Sequence, residues 1–330
     1  MPAAARKTDA GAIRNFFAEL ANEPWLAASK RKWWPGFVFH HTDVRNAARA
    51  LNGGRLLSRA RATAGGGIPV DSASPEVISH TRGWVKNYVR LYFRPRTPTQ
   101  YRWEGIRPVG QLYHGAAHCP VPIYFLFDSD EVCTMPQCSF SNGNLGSEGA
   151  DLGSSAEFLA NLDFHKIYSV GSHDPNDRSI PYGRCAEVVV EDQLGFKGLL
   201  LIATRSAAER ETLISLLSPP GLRQWESKIL IDTRLDLYER KWTFIERADL
   251  STDKATLHFS PDTQSPGPFS FRVEVHDLAT GQGYEYAEDN FYSTPEWSLT
   301  IPDDVWSYRV NVTLDSNLAY QNDYFQDLPF

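Results

Sequence analysis

The chain has 330 residues, 42% of them hydrophobic and 22% charged, which is ordinary for a globular protein and long enough for two domains. The first residues, MPAAARKTDAG, have no apolar core, and no run reaches the roughly 18 apolar residues of a membrane span. We therefore expect a cytoplasmic protein without membrane contact. The four cysteines form no CxxC pair, so we expect reduced thiols and no metal site.

The net charge of −7 hides an asymmetry along the chain. Residues 1–110 hold 18 Lys and Arg against 7 Asp and Glu, so the remainder is strongly acidic. A basic region can attract a polyanion even in an acidic protein, because charges act over only about 8 Å in physiological salt. A solvated basic face explains the same count equally well.

The N-terminal segment predicts a helical extension over residues 10–34, with apolar residues at helical spacing until Pro24 interrupts them. The sequence KRKWW follows, and basic residues beside indoles can hold phosphates and stack on bases. Lys32 and Trp34 are therefore candidate nucleic-acid contacts. The alternative is a helix end with a tryptophan anchored in the core.

Residues 38–43, VFHHTD, predict a strand that runs into a helix capped by Thr42 or Asp43. His40, near the end of that strand, can hydrogen-bond a ligand. Further on, residues 88–93 are rich in strand-forming side chains, and two prolines end the strand. Arg94 and Arg96 emerge at that turn, where they could meet phosphates.

The apolar run PVPIYFLFD, residues 120–128, predicts a buried central strand. Residues 145–183 read mostly as loop, with one apolar stretch near residues 156–164, and loops of this length are usually functional. A strand is then predicted over residues 184–192. Its alternating valines face a core, and Glu187 lies in mid-strand on the opposite face. An exposed glutamate on a half-buried strand is the plain alternative.

The last part of the chain alternates apolar and polar residues over 269–275 and 306–314, which predicts antiparallel strands of a small β-sandwich. We expect three regions: a helical extension at 1–36, a mixed domain at 37–238, and an accessory sandwich at 239–330 that folds as a unit. The sandwich is acidic, so a protein partner or a role in covering the mixed domain suits it better than nucleic acid.

Six blocks of sequence carry a family resemblance: HHTD, GGRLLS, YVRLYFRPRTP, FLFD, FSNGN and RCAEVVV. In this order they resemble the DarT family, bacterial toxins that ADP-ribosylate DNA bases. The resemblance covers about residues 36–235. It implies an α+β architecture: the mixed α/β ADP-ribosyltransferase fold, with NAD held in a cleft between two small sheets, here followed by an all-β sandwich.

The resemblance also implies roles for individual residues. Glu187 corresponds to the catalytic carboxylate of the family, and Arg82 is the nearest match to its essential arginine. The residues expected to contact NAD are His40, Thr42, Tyr92 and Arg94, and those expected to contact the nucleic acid are Arg96, Lys32 and Trp34. Arg90-Leu91 stands where the family usually has Pro-Phe.

The implied function is an ADP-ribosyltransferase that uses NAD as co-substrate and modifies a base of single-stranded DNA. It would act as the toxin of a toxin–antitoxin or phage-defence system, restrained by a macrodomain antitoxin that removes the ADP-ribose. The chemistry agrees. A carboxylate can stabilise the oxocarbenium-like ribose that forms as nicotinamide leaves, and can accept the proton of the attacking base. The base edge must be unpaired to attack, which favours a single strand.

Three other functions stay open on the sequence. An NAD glycohydrolase would use water as acceptor with the same Glu187 chemistry. An RNA ADP-ribosyltransferase would differ only in the nucleic acid. A catalytically inactive binding module for nucleic acid or protein would leave Glu187 and His40 structural.

Overall fold

The computed structural model describes residues 5–71, 82–112 and 118–326. Helices and strands are mixed up to Ile231, and the described chain beyond it contains strands only. The strands are β1 (Phe37–Asp43), β2 (Arg55–Leu57), β3 (Tyr88–Tyr92), β4 (Pro122–Asp128), β5 (Cys138–Ser141), β6 (Leu152–Gly153), β7 (Glu187–Glu191), β8 (Gln193–Gly195), β9 (Leu199–Thr204), β10 (Ile229–Ile231), β11 (Ile245–Leu250), β12 (Lys254–Phe259), β13 (Phe269–Asp277), β14 (Gly283–Phe291), β15 (Trp297–Thr300), β16 (Ser307–Leu314) and β17 (Asn317–Phe325).

The described helices are short, apart from the first. They are α1 (Ala10–Asn22), α2 (Pro24–Ala27), α3 (Val44–Gly53), α4 (Arg59–Ala64), α5 (Pro98–Trp103), α6 (Ser129–Cys133), α7 (Ala156–Ala160), α8 (Phe164–Ile167), α9 (Ser179–Gly183), α10 (Ala207–Ser215) and α11 (Pro219–Trp225). Single 3₁₀ turns cover Trp34–Gly36, Gly83–Asn87, Val109–Gln111, Phe196–Gly198 and Glu226–Lys228. Within the described ranges, no helix combines the length and apolar character needed to cross a membrane.

Eight strands form one sheet in the order β10-β9-β4-β1-β3-β7-β5-β6. Strands β1 and β4 share seven residue pairs, and β3 and β7 share five. Strands β1 and β3, in contrast, are joined by one pair, Phe39 with Tyr92. The two small sheets expected from the sequence are thus two halves of one sheet that meet at a single residue pair. Backbone groups beside that pair are left for side chains to bond.

The core lies around the middle of this sheet. The predicted central strand is β4, whose residues from Ile123 to Phe127 are fully buried, so that prediction is confirmed. The predicted N-terminal helix is α1, and Pro24 begins the separate turn α2. Both helices pack into the same core as the sheet, through the apolar side chains Ile13, Phe17, Leu20 and Leu26.

The segment 145–183 is more ordered than the sequence predicts. It contains strand β6 and the helices α7, α8 and α9. Ser155 and Asp163 cap two of these helices by accepting backbone N–H groups of Phe158 and Lys166. Helices of four or five residues show less than two turns of apolar periodicity, so their polar composition reads as loop.

The described chain beyond β10 forms two antiparallel sheets, β11-β12-β15 and β14-β13-β16-β17, around a second core. The alternation predicted for β13 and β16 is confirmed, because every second residue of both strands is buried. The hairpin after β13 is closed by Asp277, whose side chain accepts the backbone N–H of Ala279 at 2.8 Å. Gly281 follows with φ of 77°, a left-handed conformation that favours glycine.

Each of the two cores includes residues from the other part of the chain. Ile106 and Ala208 belong to the core of the C-terminal sheets, and Leu318 belongs to the core of the eight-stranded sheet. At the border, strand β17 lies along helix α10: the Tyr320 hydroxyl donates to Glu211 at 2.7 Å, and the Gln321 N–H donates to Thr212 at 3.1 Å.

A group of buried charges lies at the same border, and we call Glu104, Arg205 and Glu209 the junction cluster. Arg205 donates to Glu209 at 3.0 Å and to Glu104 at 3.5 Å, and the three side chains are at most 1% exposed. Glu104 also accepts the backbone N–H groups of Glu239 and Arg240, each at 2.9 Å. The junction cluster thereby fixes the start of the C-terminal part.

Candidate active site

Glu187 is the first residue of β7, at the end of the strand and not in the middle of it. Its side chain is fully buried. The carboxylate accepts three hydrogen bonds: Oε2 from Arg90 Nε at 2.5 Å, and Oε1 from Arg90 Nη2 at 2.5 Å and the Leu145 N–H at 3.0 Å. Its backbone N–H donates to the Ser141 hydroxyl at 3.1 Å. Glu187 is thus a buried acceptor, oriented from a neighbouring strand and from the segment after β5.

Strand pairing explains why Arg90 reaches Glu187. Tyr92 lies directly opposite Glu187 between β3 and β7, and Arg90, two residues earlier, lies opposite Val189. Residues two apart in a strand share a face, so Arg90, Tyr92 and Glu187 point to the same side of the sheet. Sequence reasoning missed Arg90. The period-two spacing of Tyr88, Arg90 and Tyr92 was the signal that could have identified it.

Arg90 is the most connected residue of the site. Besides its two bonds to Glu187, it donates from Nη2 to the Asn144 side-chain oxygen at 2.9 Å. Burial disfavours its charge, but the Glu187 carboxylate outweighs that effect and raises the pKa of Arg90. The Arg90 side chain is nevertheless 32% exposed, so it connects the buried carboxylate with the surface.

His40 contacts the same arginine through the backbone. Its Nδ1 lies 2.9 Å from the Arg90 carbonyl, beside the single pair that joins β1 and β3. Burial lowers the pKa of His40, so its ring is neutral near pH 7 and the Nδ1–H is the donor. The Nε2 of His40 is then an acceptor. His40 and Glu187 therefore meet at one residue, Arg90.

His41 lies on the opposite face of β1 from His40, and this is the face of the sheet that carries Tyr92. Its ring stacks on Tyr92 with centroids 5.2 Å apart and meets the edge of Trp103 at 4.5 Å. Burial, together with the neighbouring His40, lowers the pKa of His41 to about 3. Its Nε2 is buried and has no partner among the described atoms. His41 is a neutral, largely structural ring.

Thr42 and Tyr92 were both predicted to contact NAD. Thr42 is half-buried in β1 and lies two residues after His40, so their side chains share a face. Tyr92 is buried opposite Glu187. Burial, assisted by the Glu187 charge, raises the pKa of the Tyr92 hydroxyl, which therefore stays protonated. Both residues lie on the strands that meet at the site.

Arg94, which was also predicted to contact NAD, is buried and bound within the chain. This side chain is 4% exposed, and its guanidinium donates to the carbonyls of Pro95 at 3.0 Å, Ile167 at 3.1 Å and Ser169. Burial and the nearby Arg184 lower the pKa of Arg94 to about 9. Arg94 holds the segment 145–183 against the sheet, so its donors are already used.

Trp34, which was predicted to contact DNA, is 6% exposed and packs edge-on against Tyr168, with ring centroids 5.4 Å apart. This burial agrees with the alternative of a tryptophan anchored in the core. Arg96 is bound by two carboxylates, Asp236 at 2.5 Å and Glu239 at 3.3 Å, which compete with any phosphate. Lys32 is exposed.

Arg82 is exposed and precedes the 3₁₀ turn Gly83–Asn87. Among the described contacts, it makes no hydrogen bond or ion pair with Glu187. The turn itself lies next to the site, because Val85 packs on Leu145, whose N–H binds Glu187, and on Val189. The sequence analysis missed Trp84 on this turn, which is 40% exposed. Its place between the cations Arg82 and Lys86 was a readable signal.

The segment 145–183 closes the site on the side of β5. Tyr182 donates to the Asn142 side-chain oxygen at 2.8 Å and lies flat over Gly143. A Cβ at Gly143 would come within 2.2 Å of the Tyr182 ring, so a larger residue there would displace this ring. A cavity of about 270 Å³ lies beside this contact, lined in part by Asn142, Lys166 and Tyr182. In the described parts of the chain, no cluster of three or more His, Cys, Asp or Glu residues could hold a metal ion.

Three comparisons place this geometry among known proteins. A search of curated proteins found no match. Among solved structures, the chain is similar to Thermus sp. 2.9 DarT in complex with ADP-ribosylated ssDNA, with 18% identity and a TM-score of 0.48 over 62% of this chain and 96% of that one. The same protein in complex with NAD+ is 20% identical, with a TM-score of 0.46 over 62% of this chain and 98% of that one. Thermosipho africanus DarTG in complex with ADP-ribose is 13% identical, with a TM-score of 0.45 over 65% of this chain and 53% of that one.

The family comparison covers more than half of the chain. The model described as "ssDNA thymidine ADP-ribosyltransferase, DarT" matches residues 39–238. Those limits include most of β1, with His40, as well as β3 with Arg90 and β7 with Glu187, and they end before the C-terminal sheets. The chain therefore belongs to the DarT family and is an NAD-dependent ADP-ribosyltransferase that modifies single-stranded DNA.

Proposed function

We propose that this chain transfers ADP-ribose from NAD to thymidine in single-stranded DNA, with Glu187 as the catalytic carboxylate. The observation that carries the proposal is the set of contacts around Glu187. A buried carboxylate is held by a half-open arginine at the point where β1, β3 and β7 meet. Buried carboxylates are rare unless paired, and the partner of this one, Arg90, is partly exposed at the surface.

The bonds of the reaction balance with NAD and the base alone. The bond between the nicotinamide nitrogen and ribose C1′ breaks, and nicotinamide leaves as a neutral molecule. A bond forms between C1′ and a ring nitrogen of the base, which loses its proton. In thymidine, N3 is the ring nitrogen that carries a proton, so we infer attack by N3. The Glu187 carboxylate first accepts a hydrogen bond from a ribose hydroxyl, and its negative charge stabilises the positive charge on the ribose. It then receives the proton of the base.

Residues on β1 and β3 would hold NAD. His40 offers Nε2 as an acceptor, because its Nδ1–H is used by the Arg90 carbonyl. The Thr42 hydroxyl lies on the same face of β1 and can donate or accept. Tyr92 keeps its hydroxyl protonated opposite Glu187 and is available as a donor to the ribose.

The 3₁₀ turn Gly83–Asn87 is the surface that we assign to the DNA strand. Trp84 offers an exposed indole for base stacking, and Arg82 and Lys86 flank it with positive charge. Lys32 remains a proposed phosphate contact because it is exposed. Base stacking tolerates many sequences, so selectivity for thymidine would come from the reaction at Glu187.

The proposal extends to the organisation of the chain. Residues 1–36 form a helical extension, 37–238 an ADP-ribosyltransferase domain of mixed α/β fold, and 239–330 an accessory β-sandwich. The residues that each part of the chain contributes to the core of the other, together with the junction cluster, support close attachment of the sandwich. Residues 239–330 hold 16 Asp and Glu against 6 Lys and Arg, which suits a protein partner or a cover better than DNA.

In the cell, we propose a cytoplasmic toxin of a toxin–antitoxin or phage-defence system, opposed by a macrodomain antitoxin that removes ADP-ribose from DNA. An enzyme that marks DNA must be restrained in its own host. Expression of the wild-type chain should therefore arrest growth unless a reversing macrodomain is co-expressed. Normal growth with active wild-type enzyme and no such partner would contradict this role.

The test of the proposed activity is incubation of the full chain with NAD and single-stranded oligonucleotides. One oligonucleotide contains a single thymidine, a second has cytidine at that position, and a third is the RNA counterpart of the first with uridine. We expect ADP-ribose on the thymidine oligonucleotide only, detected by mass spectrometry together with stoichiometric nicotinamide release. ADP-ribose release without oligonucleotide modification would support an NAD glycohydrolase, and modified RNA would support the RNA alternative.

A further inference from the structure

The contacts of Arg90 go beyond a single ion pair. Its guanidinium meets both oxygens of Glu187 through two different nitrogens, Nε and Nη2, each at 2.5 Å. Bidentate arginine–carboxylate pairs fix orientation as well as distance, because both groups are planar. Glu187 can therefore neither rotate about its terminal bond nor tilt without breaking one of these bonds.

Arg90 is itself held from two sides. Its backbone carbonyl accepts His40 Nδ1 at 2.9 Å, and its Nη2 donates to the Asn144 oxygen at 2.9 Å. Asn144 is in turn fixed by the Gly146 N–H, at 2.9 Å from the same oxygen. Through these bonds, Arg90 connects Glu187 to β1 on one side and to the turn after β5 on the other.

Counting acceptor positions distinguishes the two oxygens of Glu187. A carboxylate offers about four lone-pair positions, two on each oxygen. Oε1 accepts from Arg90 and from the Leu145 N–H, whereas Oε2 accepts from Arg90 alone among the described donors. The remaining acceptor position therefore belongs to Oε2. Glu187 itself is fully buried, and Arg90, at 32% exposure, lies between it and the surface.

We propose that Arg90 is a positioning residue for the transfer reaction: it holds Glu187 so that Oε2 receives the ribose hydroxyl and later the proton of the base. This inference rests on the proposed role of Glu187. Arg90 acts through Glu187, so its loss should slow the chemical step while leaving the binding of NAD largely intact. A residue that binds NAD directly would show the opposite pattern.

The first test compares Arg90→Gln and Arg90→Lys in the full chain, with NAD and the thymidine oligonucleotide. We expect kcat to fall about 100-fold for Arg90→Gln, the scale for a reacting group displaced by about 1 Å, with KM for NAD within about threefold of wild type. Arg90→Lys keeps the charge but not the fork, so its kcat should lie between those of Arg90→Gln and wild type. Arg309→Gln is the matched control. Arg309 forms a similar bidentate pair with Asp323, at 2.6 and 2.8 Å, in the sandwich, and its loss should leave kcat unchanged.

The second test combines Arg90→Gln with Glu187→Gln. If Arg90 acts through Glu187, the double variant should be no slower in single-turnover reactions than Glu187→Gln alone. This pair also guards against misfolding, because the double variant leaves no buried carboxylate unpaired, and its melting temperature should be at least that of Arg90→Gln.

Three results would overturn the inference: wild-type kcat in Arg90→Gln, a rise in KM without loss of kcat, or a double variant clearly slower than Glu187→Gln. A wild-type chain that modifies no oligonucleotide would instead count against the proposed function.

Discussion

Among the described residues, two arginine–glutamate groups have fully buried carboxylates, and they differ in how far the arginine is exposed to water. In the junction cluster, Arg205 and both of its carboxylates are at most 1% exposed. At the candidate active site, Glu187 is equally buried, but its partner Arg90 is 32% exposed. The first group is sealed, meaning that all its side chains are buried, whereas the second is half-open, because its arginine is partly exposed.

This difference in exposure indicates which of the two groups can take part in catalysis. The Glu104 carboxylate accepts hydrogen bonds from Arg205 and from the backbone N–H groups of Glu239 and Arg240. The hydrogen-bonding groups of the junction cluster therefore have their partners within the chain. Glu187 keeps an acceptor position on Oε2, and its partner Arg90 is partly exposed to solvent. A sealed cluster fixes two parts of a fold together, whereas a half-open one can still accept a hydrogen bond from a substrate.

The largest expected effect is on activity. Glu187→Gln keeps the side-chain shape but removes the base, so transfer should fall at least about 1000-fold, or ~4 kcal/mol in the barrier. Stability should change by less than about 2 kcal/mol, because the unpaired Arg90 can reach water. Nicotinamide release and thermal melting measure the two effects. Glu191→Gln, an exposed change in the same strand, is the control. Transfer at the wild-type rate by Glu187→Gln would remove Glu187 from the mechanism.

The matching change in the junction cluster should affect stability instead. Arg205→Met leaves Glu104 and Glu209 buried without their cation, which should cost about 3–5 kcal/mol in the free energy of unfolding. Denaturant unfolding measures this loss. Arg309→Met, in the half-exposed pair with Asp323, should cost less than about 1 kcal/mol. Equal losses in the two variants would mean that burial does not distinguish these pairs.

A third prediction concerns what reaches the open site. Trp84→Ala should weaken the affinity for a single-stranded oligonucleotide by about 1–3 kcal/mol, the value of one base stacked on an aromatic ring. Fluorescence anisotropy at fixed salt measures it. Trp306→Ala is the matched control, since Trp306 is 58% exposed but lies in the acidic sandwich, and it should leave the affinity unchanged. Similar losses of affinity in both variants would show that the turn Gly83–Asn87 is not the surface that binds DNA.

The last prediction is a pH dependence of stability beside the active site. The pKa of His41 is about 3 in the folded chain because of burial, against an ordinary value of 6.5. Between these values the unfolded state binds more protons, so this contribution is complete above pH 6.5 and is lost as the pH falls toward 3. The slope is at most about 1.4 kcal/mol per pH unit.

Denaturant unfolding of wild type and His41→Phe between pH 7 and pH 4 checks this contribution. The variant should lose less stability on acidification, because it has no buried ring to protonate. The same change at His276, which is 50% exposed, should retain the wild-type pH dependence. An unchanged acid slope in His41→Phe would show that the His41 ring is accessible to protons in the folded state.

Much of the site could be predicted from local sequence. The apolar run of β4 and the alternation of β13 and β16 predicted their burial, because strand periodicity needs only neighbouring residues. The blocks HHTD, YVRLYF and RCAEVVV predicted the family, and the structure brings His40 and Glu187 to one arginine. The roles of these residues in catalysis stay predictions until the variants are measured.

The tertiary structure decided the partners. Arg90 and Glu187 are 97 residues apart, and only the adjacency of β3 and β7 brings them together. Trp34 and Arg94 looked like surface residues beside basic and proline-rich sequence, but Tyr168 and the carbonyls of the segment 145–183 bury them. Sequence patterns encode which face of an element is apolar, since that depends on spacing alone. Which charges meet depends on strand order and register, and these are fixed by the packing of the whole chain.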